Sequence, residues 1–280
     1  MEYRGSRTAL MVAAYRGRAH ARPVPLCSDP WAQALAGEEG NTLADDWDQH
    51  NPHGELWIAT RTATIDRWLQ QFTLPRGTLD QVILLGAGLD TRAARLARPG
   101  LQFFEVDHPH TQADRTQRLA DLDGYPTGAG RSVPCDFERD DLLTVLGDAG
   151  FRFDAPAFVI WEGVVPYLTE EAVSRTLTDL ARGLHADSVI VFDVVSRKMA
   201  EGRSSRSIDR ALCDLVAQEG EPFLFGLDDP VPLLSSCGFR HVRTLSFDEA
   251  CLSLTGSYER ERAFRFQSFV VTSRENPLSL

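Results

Sequence analysis

The residues best suited to chemistry in this sequence begin at the end of an apolar run. Residues 82–96 read VILLGAGLDTRAARL, in which four apolar residues lead directly into Gly86, Ala87 and Gly88. A backbone that passes close under a ligand needs residues without side chains, and the start of a helix offers free N–H groups to that ligand. The stretch therefore predicts a binding site for a nucleotide-type cofactor.

Acidic residues end the apolar runs that follow. LQFFEVD contains Glu105 and Asp107, which share one face of a strand, and a carboxylate there can accept hydrogen bonds from both hydroxyls of a ribose. In CDF, Asp136 offers an acceptor to an amino group and Phe137 offers a ring face to adenine. AFVIWE ends in Glu162. Because parallel strands end at one edge of a sheet, these side chains should converge with the glycines on one crevice.

The glycine pattern favours S-adenosylmethionine over a dinucleotide. The dinucleotide fingerprint is G-x-G-x-x-G after a strand, but Thr91 occupies the third glycine position here. A looser pattern suits S-adenosylmethionine, which needs close backbone approach but carries no pyrophosphate. The alternatives from another class are a non-catalytic Rossmann binding protein and an NAD-dependent dehydrogenase. The absence of a Tyr-x-x-x-Lys pair argues against the dehydrogenase.

These residues require an α/β chain to position them. Residues 1 to about 75 contain no convincing strand, and ELWIATRTATIDRWLQQF has helical periodicity. Short apolar runs then alternate with amphipathic stretches, as in a parallel sheet. TEEAVSRTLTDLARGL predicts a helix with Thr169 as its N-cap. The predicted strands are QVILL, LQFFEVD, RSVPCD, AFVIWE and DSVIVFDV, followed by HVRTLSF and AFRFQSFVVTS as an antiparallel pair.

Composition narrows the class of protein. The 280 residues are 43% hydrophobic and 25% charged, as in ordinary globular proteins, and their formal net charge of −11 argues against a nucleic-acid partner. The five cysteines are scattered and form no CxxC pair, which fits a reducing compartment. The N-terminal region contains an arginine every few residues and no long apolar run, so we expect neither a signal peptide nor a membrane span there. We therefore expect one cytoplasmic domain.

The motifs together resemble a known family. LLGAGLDTRAARL, FFEVDHP, the CDF strand end and WEGVVPYLTEEAV resemble, in this order and at similar separations, the leucine carboxyl methyltransferase family of S-adenosylmethionine-dependent enzymes, including its bacterial small-molecule relatives. CSDPWAQALAG resembles the Asp-Pro segment of that family. The resemblance implies a seven-stranded, Rossmann-like methyltransferase sheet. It also implies a helical N-terminal cap over 1–75, a cofactor-binding core over 76–195, an inserted cap over 196–235 and a terminal strand pair over 236–280.

The resemblance also implies roles for individual residues. Arg61 would bind the carboxylate of the cofactor, and Arg18 would be a second basic residue near that carboxylate and the reaction site. Glu162 would lie beside the methionine amino group, with Tyr167 close by. The remaining cofactor contacts would be Gly86 and Gly88 under the methionine, Asp107 at the ribose, and Asp136 with Phe137 at the adenine.

The resemblance implies O-methylation that forms a methyl ester on a carboxylate. Because the inserted cap is short, we expect a small molecule as the acceptor. Within the same class, the alternatives are a protein C-terminal carboxylate and a hydroxyl, and the hydroxyl would need a base such as His108. His108 and His110 otherwise suit a solvated helix start. His50 and His53 lack further ligands, so no metal is expected.

Three arginines of the inserted cap leave two interpretations open. They could cover an anionic substrate or form a solvated helix face, and they are Arg203, Arg206 and Arg210.

Overall fold

The computed structural model describes residues 6–73, 79–137, 139–257 and 264–278. The predicted boundary between residues 75 and 76 and the first residue of the last predicted strand run, Ala263, lie outside them. Three helices precede the first strand: α1 (Arg7–His20), α2 (Ala32–Asp48) and α3 (Gly54–Thr73). The strands are β1 (Gln81–Leu85), β2 (Gln102–Asp107), β3 (Arg131–Pro134), β4 (Ala157–Trp161), β5 (Val189–Val195), β6 (His241–Ser246) and β7 (Gln267–Ser273).

The seven strands form one mixed sheet in the order β3-β2-β1-β4-β5-β7-β6. Strands β1 to β5 are parallel, and β7 runs antiparallel between β5 and β6. The predicted seven-stranded α/β fold is therefore confirmed, and each predicted run contains one strand. The chain reverses its direction of travel through the sheet between β1 and β4, which is where open α/β sheets bind ligands.

The remaining helices connect the strands and cover the sheet. The predicted N-cap of one of them is confirmed, because the Thr169 hydroxyl accepts a hydrogen bond from the Ala172 N–H at 3.2 Å. Two glutamates in its first turn suit the positive end of the helix dipole. These helices are α4 (Arg92–Arg95), α5 (Pro109–Ala120), α6 (Leu142–Asp148), α7 (Glu170–Gly183), α8 (Arg197–Ala200), α9 (Ser207–Gln218), α10 (Val231–Cys237) and α11 (Phe247–Thr255).

The central strands are buried on both faces, as parallel strands between two helical layers must be. In β1, Val82 and Leu84 pack into one hydrophobic cluster with the N-terminal helices, whereas Ile83 and Leu85 pack into a second cluster on the opposite face. Helices α8 and α9 form an insertion after β5. None of the helices in the described ranges combines the length and apolar character needed to cross a membrane.

Candidate functional site

A cavity of about 630 Å³ lies at the carboxyl edge of the sheet, within the size range of cofactor and small-molecule sites. Its walls come from α1, α2 and α3, from the residues at and after the ends of β1, β2, β3 and β4, and from the segment after α9. The cavity thus brings together most of the strand ends that the sequence predicted to converge. Two predicted cofactor residues, Glu105 and Arg18, are not among the residues described as lining it.

The glycine turn after β1 forms the floor of the cavity. The Gly86 and Ala87 N–H groups donate to the Val106 carbonyl at 2.8 and 3.1 Å, which holds the turn against the end of β2. Gly86 has φ +67°, and a Cβ there would collide with Cγ2 of Val164. A side chain at this position would therefore displace the segment that follows β4.

Asp107 ends β2 beside this turn. Its two carboxylate oxygens accept hydrogen bonds from the Gly88 N–H at 2.6 Å and the His108 N–H at 2.7 Å. Burial raises the pKa of this carboxyl above its usual range, and the two backbone donors partly oppose that shift. A carboxylate has about four acceptor positions, so Asp107 retains capacity for ribose hydroxyls.

Glu105, which the sequence predicted as a cofactor residue, is not among the residues that line the cavity. Its buried carboxylate forms an ion pair with Arg115, which also donates to the Gly88 carbonyl at 2.7 Å. Glu105 and Asp107 do share a strand face, but Glu105 lies two residues, or about 6.6 Å, back from the sheet edge. Its place in the structure is therefore to hold Arg115 beneath the glycine turn.

Asp136 and Phe137 follow β3 and line the same cavity. The Asp136 carboxylate lies 3.9 Å from Nε2 of His108 and 3.6 Å from Nε of Arg139. These four residues form the end of the cavity at the β3 side of the sheet. An apolar ring beside a hydrogen-bond acceptor suits adenine, as the sequence predicted.

Arg61 and Glu162 meet at the opposite side of the glycine turn. Nε of Arg61 donates to Oε1 of Glu162 at 2.7 Å, and the guanidinium lies over the ring of Trp57. The two terminal nitrogens of Arg61 make no hydrogen bond within the described residues. Gly163 has φ +68°, and a Cβ there would lie 3.1 Å from Nη1 of Arg61, so this glycine admits the guanidinium. Arg61 therefore offers a two-donor fork to a carboxylate.

A buried network of charges holds this pair in place. Nη1 of Arg92 lies 2.6 Å from Oε2 of Glu162, and Nε of Arg92 donates to Asp66 at 2.6 Å. Arg95 also pairs with Asp66, at 2.6 Å. Burial alone would raise the pKa of Glu162, but Arg92 and Arg61 lower it below its usual range. Glu162 is therefore an anion that fixes the orientation of Arg61.

Arg16, rather than Arg18, is the basic residue of α1 at the cavity. Arg18 is two residues further along, or about 200° around the helix, and its guanidinium pairs with Asp45 and Asp48, each at 2.8 Å. The structure thus places Arg18 away from the cavity, and its predicted role at the cofactor stays a prediction. Arg16 was missed, although its spacing of four from Val12 follows the helix face that lines the cavity.

Asp29, the aspartate of the Asp-Pro segment, connects α1 to the glycine turn. Nε of Arg16 donates to its carboxylate at 2.9 Å, and the Thr91 hydroxyl donates to the same oxygen at 2.7 Å. Nη2 of Arg16 also donates to the Leu89 carbonyl at 2.6 Å. The threonine at the third position of the glycine pattern therefore has a structural partner.

Tyr167 and Glu221 line the cavity at the β4 and β5 side. The Tyr167 hydroxyl makes no hydrogen bond with any residue that the structure describes, and burial together with the Glu221 charge raises its pKa well above the usual range. The Thr8 hydroxyl donates to the Glu221 carboxylate, so α1 contacts the segment after α9. Nothing in the spacing of the sequence marked Glu221, because the inserted segment has no periodicity that aims it at the sheet.

The three arginines of the inserted cap do not line the cavity. Arg203 pairs with Glu201 and its side chain is 66% exposed, while Arg206 lies 3.5 Å from Asp209 and Arg210 donates to the Ser204 carbonyl at 2.7 Å. These contacts fit the solvated-face interpretation, and contact of these arginines with an anionic substrate stays a prediction.

The geometry fits the predicted cofactor, and the comparisons with known proteins agree. The leucine carboxyl methyltransferase model matches residues 9–181. A candidate S-adenosyl-L-methionine-dependent methyltransferase of Mycolicibacterium smegmatis is 36% identical over 214 residues, which cover 71% of this chain and 70% of that protein. A similarly named protein of Mycobacterium sp. strain JLS is 34% identical over 226 residues, or 74% of this chain and 75% of that one.

Solved structures share the fold at low sequence identity. A DUF574 family protein of Streptomyces avermitilis superposes with a TM-score of 0.66 at 13% identity, covering 96% of this chain and 98% of that chain. A candidate methyltransferase of Thermobifida fusca gives a TM-score of 0.64 at 15% identity, covering 98% and 96%. The plantazolicin methyltransferase BamL, solved with S-adenosylhomocysteine, gives 0.53 at 9% identity, covering 95% and 98%.

Proposed function

The chain belongs to the leucine carboxyl methyltransferase family of S-adenosyl-L-methionine-dependent methyltransferases, and on that premise we propose that it forms a methyl ester on a carboxylate of a small molecule. The family description supports a carboxylate as the acceptor. The insertion after β5 is short, with helices α8 and α9 only, which supports a small molecule rather than a protein tail.

The proposed cofactor contacts follow the order of the strands. Arg61 would bind the methionine carboxylate through its two terminal nitrogens, Asp107 would hold the ribose, and Asp136 with Phe137 would hold the adenine. Glu162 would act through Arg61, which it orients, and on the methionine amino group. When bound, S-adenosylmethionine supplies a methyl group on a sulfonium, which is activated for in-line displacement.

The observation that carries the proposal is the Tyr167 hydroxyl. A tyrosine hydroxyl is protonated at neutral pH, and this one lines the cavity with no hydrogen-bond partner in the described part of the chain. It can therefore donate to one oxygen of an acceptor carboxylate and orient the other toward the methyl group. A carboxylate is already ionised at neutral pH, so no proton has to be removed.

The hydroxyl alternative would require a base, and His108 is poorly placed to provide it. His108 follows β2 and lies beside Asp136, whereas Tyr167 follows β4, on the other side of β1 in the sheet. A histidine at the adenine end would act on the wrong part of the cavity. We therefore expect kcat to be nearly flat from about pH 6 to 9, and His108→Ala and His110→Ala to keep activity within about tenfold.

The test is the chemistry of the methylated product. The enzyme is incubated with methyl-labelled S-adenosylmethionine and a panel of small carboxylic acids and matched alcohols, and the product is treated with mild base. A methyl ester releases methanol under these conditions, whereas a methyl ether does not. Base-stable product, together with a kcat that rises with pH and collapses in a histidine variant, would refute the carboxylate proposal. Calorimetry with S-adenosylhomocysteine and NAD tests the dehydrogenase alternative, which predicts binding of NAD only.

A further inference from the structure

The cavity has two chemically different ends. The end beside β3 contains the residues proposed to hold the adenine and ribose. The wall formed by α1, α2, α3 and the segments after β4 and α9, which we call the acceptor end, contains none of the residues proposed to hold the adenine and ribose. Its described walls include Thr8, Met11, Trp47, Trp57, Tyr167 and Glu221.

The acceptor end carries a negative charge that no cation of this chain balances within the described residues. Glu221 is half-buried, and Thr8, a neutral donor, is its hydrogen-bond partner there. The two nearby arginines are already engaged, since Arg61 pairs with Glu162 and Arg16 pairs with Asp29. The neighbouring Glu219 differs from Glu221, because it pairs with Arg7 at 2.7 Å and does not line the cavity.

Aromatic rings surround the same space. Trp47, Trp57 and Tyr167 line the cavity, and Tyr167 packs against Phe223 with ring centroids 5.4 Å apart. Faces of aromatic rings attract cations, and a carboxylate beside them adds a charge-assisted hydrogen bond. An acceptor with only a carboxylate would be repelled by Glu221. One that also carries a protonated amine would gain a partner for each of its charges.

From these observations we propose that the acceptor of this enzyme carries a protonated amine, and that Glu221 is the residue that selects it. The inference rests on the proposed function, since it assumes that a small molecule is methylated at the acceptor end. Glu221 would bind the ammonium, the aromatic rings would enclose it, and Tyr167 would orient the carboxylate. The substrate class is then an amino-carboxylate rather than a simple acid.

The test compares four probes that share one aromatic body. Calorimetry on protein saturated with S-adenosylhomocysteine measures the affinity of 2-phenylethylamine, 2-phenylethanol, 3-phenylpropanoate and phenylalanine. We expect each of the two amine-bearing probes to bind at least about tenfold more tightly than 2-phenylethanol, and we expect Glu221→Gln to abolish that preference. Glu221→Gln keeps the shape and an acceptor for Thr8. The matched control, Glu219→Gln, should leave the preference unchanged.

Several results would overturn the inference. One is that neither amine binds at millimolar concentration. Another is that 3-phenylpropanoate binds at least as tightly as the amines, and a third is that the preference for amines persists in Glu221→Gln. A fourth is that Glu221→Gln lowers the affinity for S-adenosylmethionine more than that for S-adenosylhomocysteine and leaves amine binding unchanged. That result would mean that Glu221 contacts the sulfonium of the cofactor. If the amine preference holds but the methylated product is base-stable, the carboxylate proposal fails and this inference stands. If the product is base-labile but the protein shows no amine preference, the carboxylate proposal stands and this inference fails.

Discussion

Replacing Arg61 by alanine is the most direct perturbation of the proposed cofactor site. The side chain is 8% exposed, its Nε donates to Glu162 at 2.7 Å, and its terminal nitrogens have no hydrogen-bond partner within the described ranges. Truncation removes the proposed fork for the methionine carboxylate. Glu162 keeps its ion pair with Arg92 at 2.6 Å, so the variant should fold.

The expected loss follows from the geometry. A bidentate guanidinium–carboxylate contact in a closed site is stabilising by about 2 to 4 kcal/mol when measured by truncation of one partner. This corresponds to a dissociation constant for S-adenosylhomocysteine that is about 30 to 900 times higher. The interaction needs the carboxylate of the ligand, so 5′-methylthioadenosine, which lacks the amino-acid moiety, should bind Arg61→Ala as tightly as it binds the parent.

The assay is a calorimetric titration of both ligands against the parent, Arg61→Ala and Arg67→Ala. Arg67 is a matched control, because it is on the same helix but exposed, with Ser253 as its partner at 3.4 Å. Two results would refute the reasoning. One is that Arg61→Ala binds S-adenosylhomocysteine within about twofold of the parent. The other is that it loses affinity equally for both ligands, which would indicate general damage to the site.

The other predictions concern the ribose, the buried charges and the inserted cap. Asp107→Asn should weaken S-adenosylhomocysteine and 5′-methylthioadenosine equally, by about tenfold, because both carry the ribose, and the same titrations measure this. Burial raises the pKa of Asp90, but neighbouring guanidinium groups outweigh it and lower the pKa to about 2 from 3.8. Because the pKa of Asp90 is lower in the folded protein than in the unfolded chain, its ionised carboxylate stabilises the fold at pH values above 3.8. This contribution is lost as the pH falls through about 2. Urea unfolding across this window should therefore show the advantage of the parent over Asp90→Asn shrinking by about 2 kcal/mol. Replacing Arg203, Arg206 or Arg210 with glutamate should leave the acceptor KM within about twofold, and a large increase would return these residues to the substrate site.

The sheet could be read from the sequence because its signals are local. The central strands β1 and β4 are apolar runs, after Gln81 in β1, and they end at a glycine turn and at a polar residue respectively. All their residues are buried, as in a sheet covered on both faces. Asp107 and Glu162 could be placed for the same reason, since the end of a strand fixes the edge of the sheet on which a side chain lies. Thr169 was identifiable as an N-cap because its role depends on the three residues that follow it.

The sequence locates a residue less well where its position depends on packing between distant segments. Arg18 and Arg16 belong to the same basic stretch, and only the docking of α1 on the glycine turn decides which one faces the cavity. Glu105 has the expected residue type and strand face, but it lies back from the sheet edge and pairs with Arg115. Glu221 depends on the path of the insertion after β5, which no periodicity in its own sequence describes.

Cofactor binding and acceptor choice depend on different segments of the chain. In the proposed arrangement, Arg61 of α3 binds the methionine carboxylate, and the rest of the cofactor is bound by strand ends, whose positions follow from the hydrogen-bonded register of the sheet. The acceptor end is formed instead by α1, α3 and segments outside the sheet, which are joined by contacts such as Thr8 with Glu221 and Arg7 with Glu219. Those residues can change without disturbing the strand register. A different residue in place of Glu221 would therefore alter which acceptor is chosen while the cofactor affinity stays the same, and the separate readouts of the amine and S-adenosylhomocysteine titrations test that independence.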